Sequence, residues 1–131
     1  MEKGTNTLSQ ETMKKAMQKY LDGFNQGNAH AIISLFAENA RIEDPVGGKA
    51  VEGKEAITTF YRRGVEVVDR LELEAPIRGS YGRSAAMAFK IYMLQDGKDI
   101  CIRSIDVMTF SDSGKIIDMK AYHGPDDLRE Q

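Results

Sequence analysis

An α+β fold, with helices first and strands after, is what this sequence predicts, and three observations carry the prediction. Apolar residues recur at helical intervals through the first half of the chain. From Glu66 onward the period switches to two. Two turn sequences, Asp96-Gly97 and Asp112-Ser113-Gly114, then separate the last three alternating stretches. Helical and strand patterns segregated in this way point to helices covering one face of a sheet built mainly from hairpins.

Thr7-Leu8-Ser9-Gln10 has the spacing of a capping box and opens helix 1, read as Ser9 to Gln26. Met13, Met17, Tyr20, Leu21 and Phe24 form its packing stripe, and Gly27 stops it. Asn28 caps a shorter second helix, where Ile32, Ile33 and Phe36 give a stripe that ends near Asn39. Ala40 to Asp44 alternates and is closed by Pro45, as a short strand does, and Pro45 to Gly48 forms a loop. A third helix is expected from Gly53 to Arg63, with Ile57, Phe60 and Tyr61 on one face and Gly64 as its stop. Strands are expected at Glu66 to Ala75, Ile77 to Ser80, Ala85 to Leu94, Asp99 to Phe110 and Lys115 to His123, the last three forming an antiparallel meander. The chain reads as a single domain over 1–131 with loose termini at 1–7 and 125–131.

The 131 residues fit one domain, and 41% hydrophobic with 29% charged residues is globular composition that excludes disorder for the bulk of the chain. No apolar run approaches the roughly 18 residues of a membrane span, so no membrane partner is expected and a cytoplasmic location is. Lys and Arg total 18 against 20 Asp and Glu. The resulting net charge of −2 offers no footprint for nucleic acid. Cys101 is the one cysteine and His30 and His123 the two histidines, so neither an internal disulfide nor a thiolate or imidazole metal cage is expected.

Side-chain parity along strands singles out the polar residues that share an apolar face. Asp106 has the parity of Ile100, Ile102, Met108 and Phe110; Asp44 has that of Ala40 and Ile42; Tyr20 lies within the helix 1 stripe. Bland readings exist for two of them, since Tyr20 fits a core residue with its hydroxyl satisfied at the rim and Asp44 fits a turn aspartate before proline. Asp106 has no turn to serve, and Arg103 and Lys90 point away from it by parity. Two inward carboxylates and a phenol form the kind of convergent polar group that marks a pocket for a small hydrophobic ligand. With no serine or cysteine beside a histidine base and no phosphate-cradling loop, the chemistry left to this trio is proton transfer next to a carbonyl. One carboxylate serves as base. Tyr20 donates to the developing oxyanion, and Asp106 joins it only if burial and the neighbouring acid keep it protonated.

Three segments then resemble one known family. Ala40-Arg41-Ile42-Glu43-Asp44-Pro45-Val46-Gly47, the stretch Glu55 to Arg62 with Phe60-Tyr61, and Ile105-Asp106-Val107-Met108-Thr109-Phe110 are similar in order and spacing to the bacterial Δ5-3-ketosteroid isomerases. The likeness runs from about Met13 to Gly124. It implies a cone-shaped, nuclear-transport-factor-2-like α+β fold, with three N-terminal helices packed on a curved, largely antiparallel sheet. It also implies a homodimer and a cofactor-independent isomerase of steroid metabolism, which moves a double bond of a 3-oxo-Δ5-steroid to Δ4 through a dienolate.

By position, the resemblance makes Asp44 the base, Tyr20 the oxyanion tyrosine, Asp106 the neutral acid beside it, an arrangement established for that family, and Tyr61 the tyrosine that orients Tyr20. Met87, Phe89, Met119 and His123 fall where the family lines its steroid pocket. His123 departs from the family pattern, which places an aromatic wall such as Phe or Trp there near the base; a histidine, aromatic but polar, either tunes Asp44 or changes the substrate, and it bears on substrate identity more than on reaction type. Phe36 stands where some members carry a further tyrosine. Two competing expectations are a SnoaL-like polyketide cyclase or hydratase using Asp44 on another carbonyl substrate, and a non-catalytic binding module, for which acids at both 44 and 106 have no use.

Overall fold

Residues 8–131 are described by a computed structural model; Thr7 of the expected capping box and the N-terminal segment read as loose lie outside the described residues. Helix α1 spans Gln10–Asn25, capped by Ser9, whose Oγ accepts the Thr12 amide at 3.1 Å. Its buried face carries Met13, Met17, Tyr20, Leu21 and Phe24, the stripe that the helical spacing predicts. Asn28 caps α2 by accepting the Ala31 amide on its side-chain oxygen.

Helix α2 covers only Ala29–Ile33, and the chain from Phe36 to Glu43 is strand β1 instead of the remainder of a helix ending near Asn39. The reason is a bulge. Phe36 pairs with Ile116 but Arg41 already pairs with Asp118, so the stretch between Phe36 and Arg41 carries three residues more than its partner strand. The bulge places buried Phe36 and Ala40 four apart, which mimics helical spacing.

A short strand β2, Val51–Glu52, pairs with β1 and was not expected from the alternation. Helix α3 then runs Lys54–Val67, past Gly64, where a stop is expected. Gly64 serves packing: a Cβ there would sit 3.3 Å from Phe24 Cε1, so its bare backbone lets α3 lie against α1.

The remaining strands are β3 Val68–Leu73, β4 Ser84–Gln95, β5 Lys98–Phe110, β6 Ile116–Tyr122 and β7 Leu128–Glu130. Glu66 and Val67 are helical instead of opening β3, and Ile77 to Ser80 contributes a single bridge, Arg78 to Ala86, instead of a strand. β4, β5 and β6 form the expected antiparallel meander. At its Asp96-Gly97 turn both residues have positive φ, 53° and 79°, as a type I′ hairpin requires. The segment 125–131, read as a loose tail, is ordered: Pro125–Asp127 makes a 3-10 turn and β7 pairs with the first half of β5, at Ile100 to Ile102.

The sheet order is β2-β1-β6-β5-β4-β3, with β7 beside β5, and β1 lies parallel to β6. One face of the sheet, with Ile42, Phe89, Met108, Phe110 and Met119, packs against the buried faces of the helices. Asn25 ties the end of α1 to edge strand β3, donating to the Leu71 carbonyl at 3.1 Å and accepting the Leu71 amide at 2.7 Å. The helices therefore close most of the inner face and leave a cavity toward one end.

Candidate active site

The cavity holds about 850 Å³, within the range of small-molecule sites. Its walls are apolar: Phe24 from α1, Phe60 and Val67 from α3, Leu71 from β3, and Phe89, Ile91 and Met93 from β4. Its polar and charged lining comprises Tyr20, Asp44, Asp106 and His123 together with Lys49, Glu52, Thr59 and Arg63.

Asp106 projects from the middle of β5, where its cross-strand neighbours are Met87 and Ala121, both buried. It is 2% exposed, and this burial, reinforced by the charge of Asp44, holds its carboxyl well above the usual carboxylate range. Ser104 Oγ, two residues earlier on the same face, donates to Asp106 Oδ1 at 3.3 Å and works weakly in the opposite direction. Arg103 points outward, as parity predicts, and makes two bonds to Glu74 at 3.2 and 2.9 Å. Asp106 is thus biased toward the neutral acid, which can donate a hydrogen bond.

Tyr20 and Tyr61, from α1 and α3, bring their hydroxyls within 3.1 Å, with rings edge-on at 5.6 Å. Tyr61 is fully buried among Phe24, Phe36 and Phe60. Among the described residues Tyr20 is its one hydrogen-bonding partner. If Tyr61 donates to Tyr20, both hydroxyls are used and the Tyr20 hydrogen is left to a group in the cavity; the reverse strands the Tyr61 hydrogen in an aromatic cluster. Burial pushes both phenols well above their ordinary range, and the charge of Asp44 adds to the rise. Tyr20 is therefore a neutral donor.

Asp44 lies one residue beyond β1 and His123 one residue beyond β6. Because these strands are parallel and in register at Glu43 and Lys120, both leave the sheet at the same end. The Val46 amide continues the contact by donating to the Ala121 carbonyl at 2.8 Å. His123 Nε2 consequently sits 3.0 Å from Asp44 Oδ1, with the two side chains 16% and 23% exposed. Against an ionised carboxylate, which only accepts, Nε2 is the donor.

Of the four residues expected to line the pocket, Phe89 and His123 do so. Met87 and Met119 do not: both lie in the packed core, 2% and 0% exposed, outside the cavity walls. Parity places them on the correct face, but it carries no information on whether a helix or open space stands opposite. Sequence reasoning also missed the rim, where Lys49 from the loop before β2 and Arg63 from α3 border the opening. The signal was present on α3, since Ala56, Phe60, Arg63 and Val67 share one helical face. Among the described residues no three His, Cys, Asp or Glu side chains come together as a metal site, and no helix is long and apolar enough to cross a membrane.

The family model for SnoaL-like domains matches residues 17–119, a stretch that includes Tyr20, Asp44, Tyr61 and Asp106. The chain belongs to the SnoaL-like family. This SnoaL-like chain has the nuclear-transport-factor-2-like architecture, α+β, with three helices packed on a curved sheet in which antiparallel pairs dominate. A steroid Delta-isomerase of Nocardioides simplex is 36% identical over 116 residues, covering 88% of this chain and 93% of the relative. Among solved structures, SalBIII, described as an epoxide hydrolase/cyclase-like enzyme with a role in pyran ring formation in polyether salinomycin, superposes with a TM-score of 0.85 at 30% identity. That match covers 94% of this chain and 98% of SalBIII. Both relatives of the SnoaL-like chain are enzymes.

Proposed function

We propose that this protein is a steroid Δ-isomerase that converts a 3-oxo-Δ5-steroid to its Δ4 isomer by intramolecular proton transfer. The observation that carries the reading is the polarity of the cavity: Asp44, a partly exposed carboxylate, shares a largely apolar chamber with two groups held neutral, Tyr20 and Asp106. Asp44 takes the C4 proton, and the C–H electron pair moves toward O3 to give the dienolate. Tyr20 and Asp106 donate to that oxygen as its charge develops. Asp44 then returns the proton at C6, the double bond settles at C4–C5, and no external reductant or oxidant is involved. His123 holds Oδ1 of Asp44, which leaves Oδ2 to shuttle the proton. Tyr61 orients Tyr20 through its hydroxyl.

Donors placed where charge develops in a water-poor site are the largest single source of catalysis in such reactions. The apolar walls suit a rigid hydrocarbon nucleus. The similarity to a steroid Delta-isomerase supports the same substrate class. Absorbance of the conjugated enone formed from 5-androstene-3,17-dione tests the proposal, and absence of turnover refutes it. One observation favours a second reading, ring closure or water addition on another substrate: the Asp44–His123 hydrogen bond, together with the likeness to SalBIII.

The protein also reads as a homodimer. Ile105 and Tyr122, cross-strand partners on the sheet face that points away from the helices, are each about half exposed at 49% and 47%, with Ala88 beside Ile105. An apolar patch of this kind suits a partner surface.

A further inference from the structure

The proposed isomerase site has a second polar end. Tyr20 and Asp106, which would hold the steroid O3, are 3% and 2% exposed and so lie at the closed end of the cavity. Lys49 and Arg63 line the same cavity but are exposed, so they stand at its opening, on two separate elements, the loop before β2 and α3. Among the described residues neither has an ion-pair or hydrogen-bonding partner. The one acid on the rim, Glu52, faces Arg41 at 3.7 Å. Apart from Asp44, His123 and Thr59, the remaining walls are apolar.

From this arrangement we propose that the substrate is a 3-oxo-steroid carrying an anionic side chain at the end remote from the ketone, and that Lys49 and Arg63 receive that anion. The inference deepens the isomerase reading and rests on it. A rigid ligand whose carbonyl is held at the closed end must project its other end toward the opening. A fully neutral steroid would bring only hydrocarbon or a weak acceptor to two uncompensated cations. A carboxylate there gains their attraction. It also needs it, because the protein has a net charge of −2 and the cavity itself contains the acid Asp44, so an anion without the rim cations would be repelled. Arg63 offers a planar fork that matches a carboxylate, and Lys49 offers a mobile point charge.

The test is the ratio of dissociation constants, by calorimetry at low salt, for 3-oxo-4-pregnene-20-carboxylic acid and its methyl ester, ligands that already carry the Δ4 bond and undergo no isomerisation. The acid is expected to bind on the order of tenfold more tightly than the ester, the size that two partly exposed ion pairs supply. Raising the ionic strength to 1 M, where the screening length falls to about 3 Å, is expected to erase most of the difference. In Lys49→Gln/Arg63→Gln the ratio is expected to approach one, and in Arg63→Glu to invert; because a ratio is read, a general loss of affinity cancels. An ester that binds as tightly as the acid overturns the proposal, and so does a double variant that keeps the preference. Binding of neither ligand overturns the steroid reading along with it. Retained acid preference without turnover of 5-androstene-3,17-dione sinks the catalytic reading alone.

Discussion

Replacing Asp106 separates a donor from a structural acid, because the donor role demands a neutral carboxyl beside an ionised Asp44. Asp106 sits on β5 between Met87 and Ala121 at 2% exposure, so a hydrogen bond from it acts in a low-dielectric setting without competing water. Removing one oxyanion donor in such a site costs about 2.7–4 kcal/mol, which at about 1.36 kcal/mol per decade is on the order of 10²–10³ in kcat. Asp106→Asn keeps an N–H in place and is expected to be mild. Asp106→Leu fills the space and is expected to show the full loss, while Asp106→Ala admits water that recovers part of it. The readouts are kcat by enone absorbance and thermal melts across pH. Because burial raises the native carboxyl above its ordinary value of 3.8, the native state binds more protons than the unfolded state once pH passes that value. Wild-type stability therefore falls as pH climbs from there toward the raised native value, and the Asn variant escapes this loss. The melting advantage of Asp106→Asn is expected to grow with pH above about 4. Equal kcat in the Asn and Leu variants, or a melting difference independent of pH, refutes the reasoning.

Asp44→Asn is expected to lower kcat by 10²–10⁴ or more, the usual contribution of a general base, while equilibrium binding of a Δ4-3-oxo-steroid persists. Tyr61→Phe removes only the bond that orients Tyr20 and is expected to cost up to about tenfold in kcat, with Tyr20→Phe costing on the order of 10²–10³; steady-state rates of the pair check the ranking. His123→Phe frees Asp44 Oδ1, and steroid turnover is expected to hold or rise; a large fall assigns the histidine a direct part in the reaction. Light scattering at micromolar concentration is expected to give a dimer mass, and Ile105→Lys to shift it toward the monomer, since a charge in the middle of a self-complementary apolar patch opposes its own copy.

What was legible in the sequence followed from periodicity uninterrupted by irregular backbone. Helix α1 and the β4–β6 meander have long, regular patterns and local turn chemistry at Asp96-Gly97, so their buried faces, and with them Tyr20 and Asp106, follow from spacing alone. The illegible parts sit where one residue type serves a second purpose. Gly64 reads as a helix stop but is a contact with Phe24, and the bulge between Phe36 and Arg41 imposes helical spacing on a strand. Parity could not separate Phe89, which meets open space, from Met87, two residues away on the same face, which meets the core.

The Asp44–His123 pair shows why the site was only half legible. The two residues are 79 positions apart, and nothing local to either points to the other. What brings them together is the parallel pairing of β1 with β6, the one parallel ladder among the described residues and the product of a chain that runs through α3 and four strands before returning. A histidine read by position alone is a variant wall residue near Asp44 that either tunes this acid or changes the substrate. The same histidine at the shared exit of two parallel strands is a hydrogen-bond donor to Asp44. In the proposed isomerisation that contact leaves one oxygen of Asp44 for the substrate, so the pairing of two strands would select the atom that carries the proton.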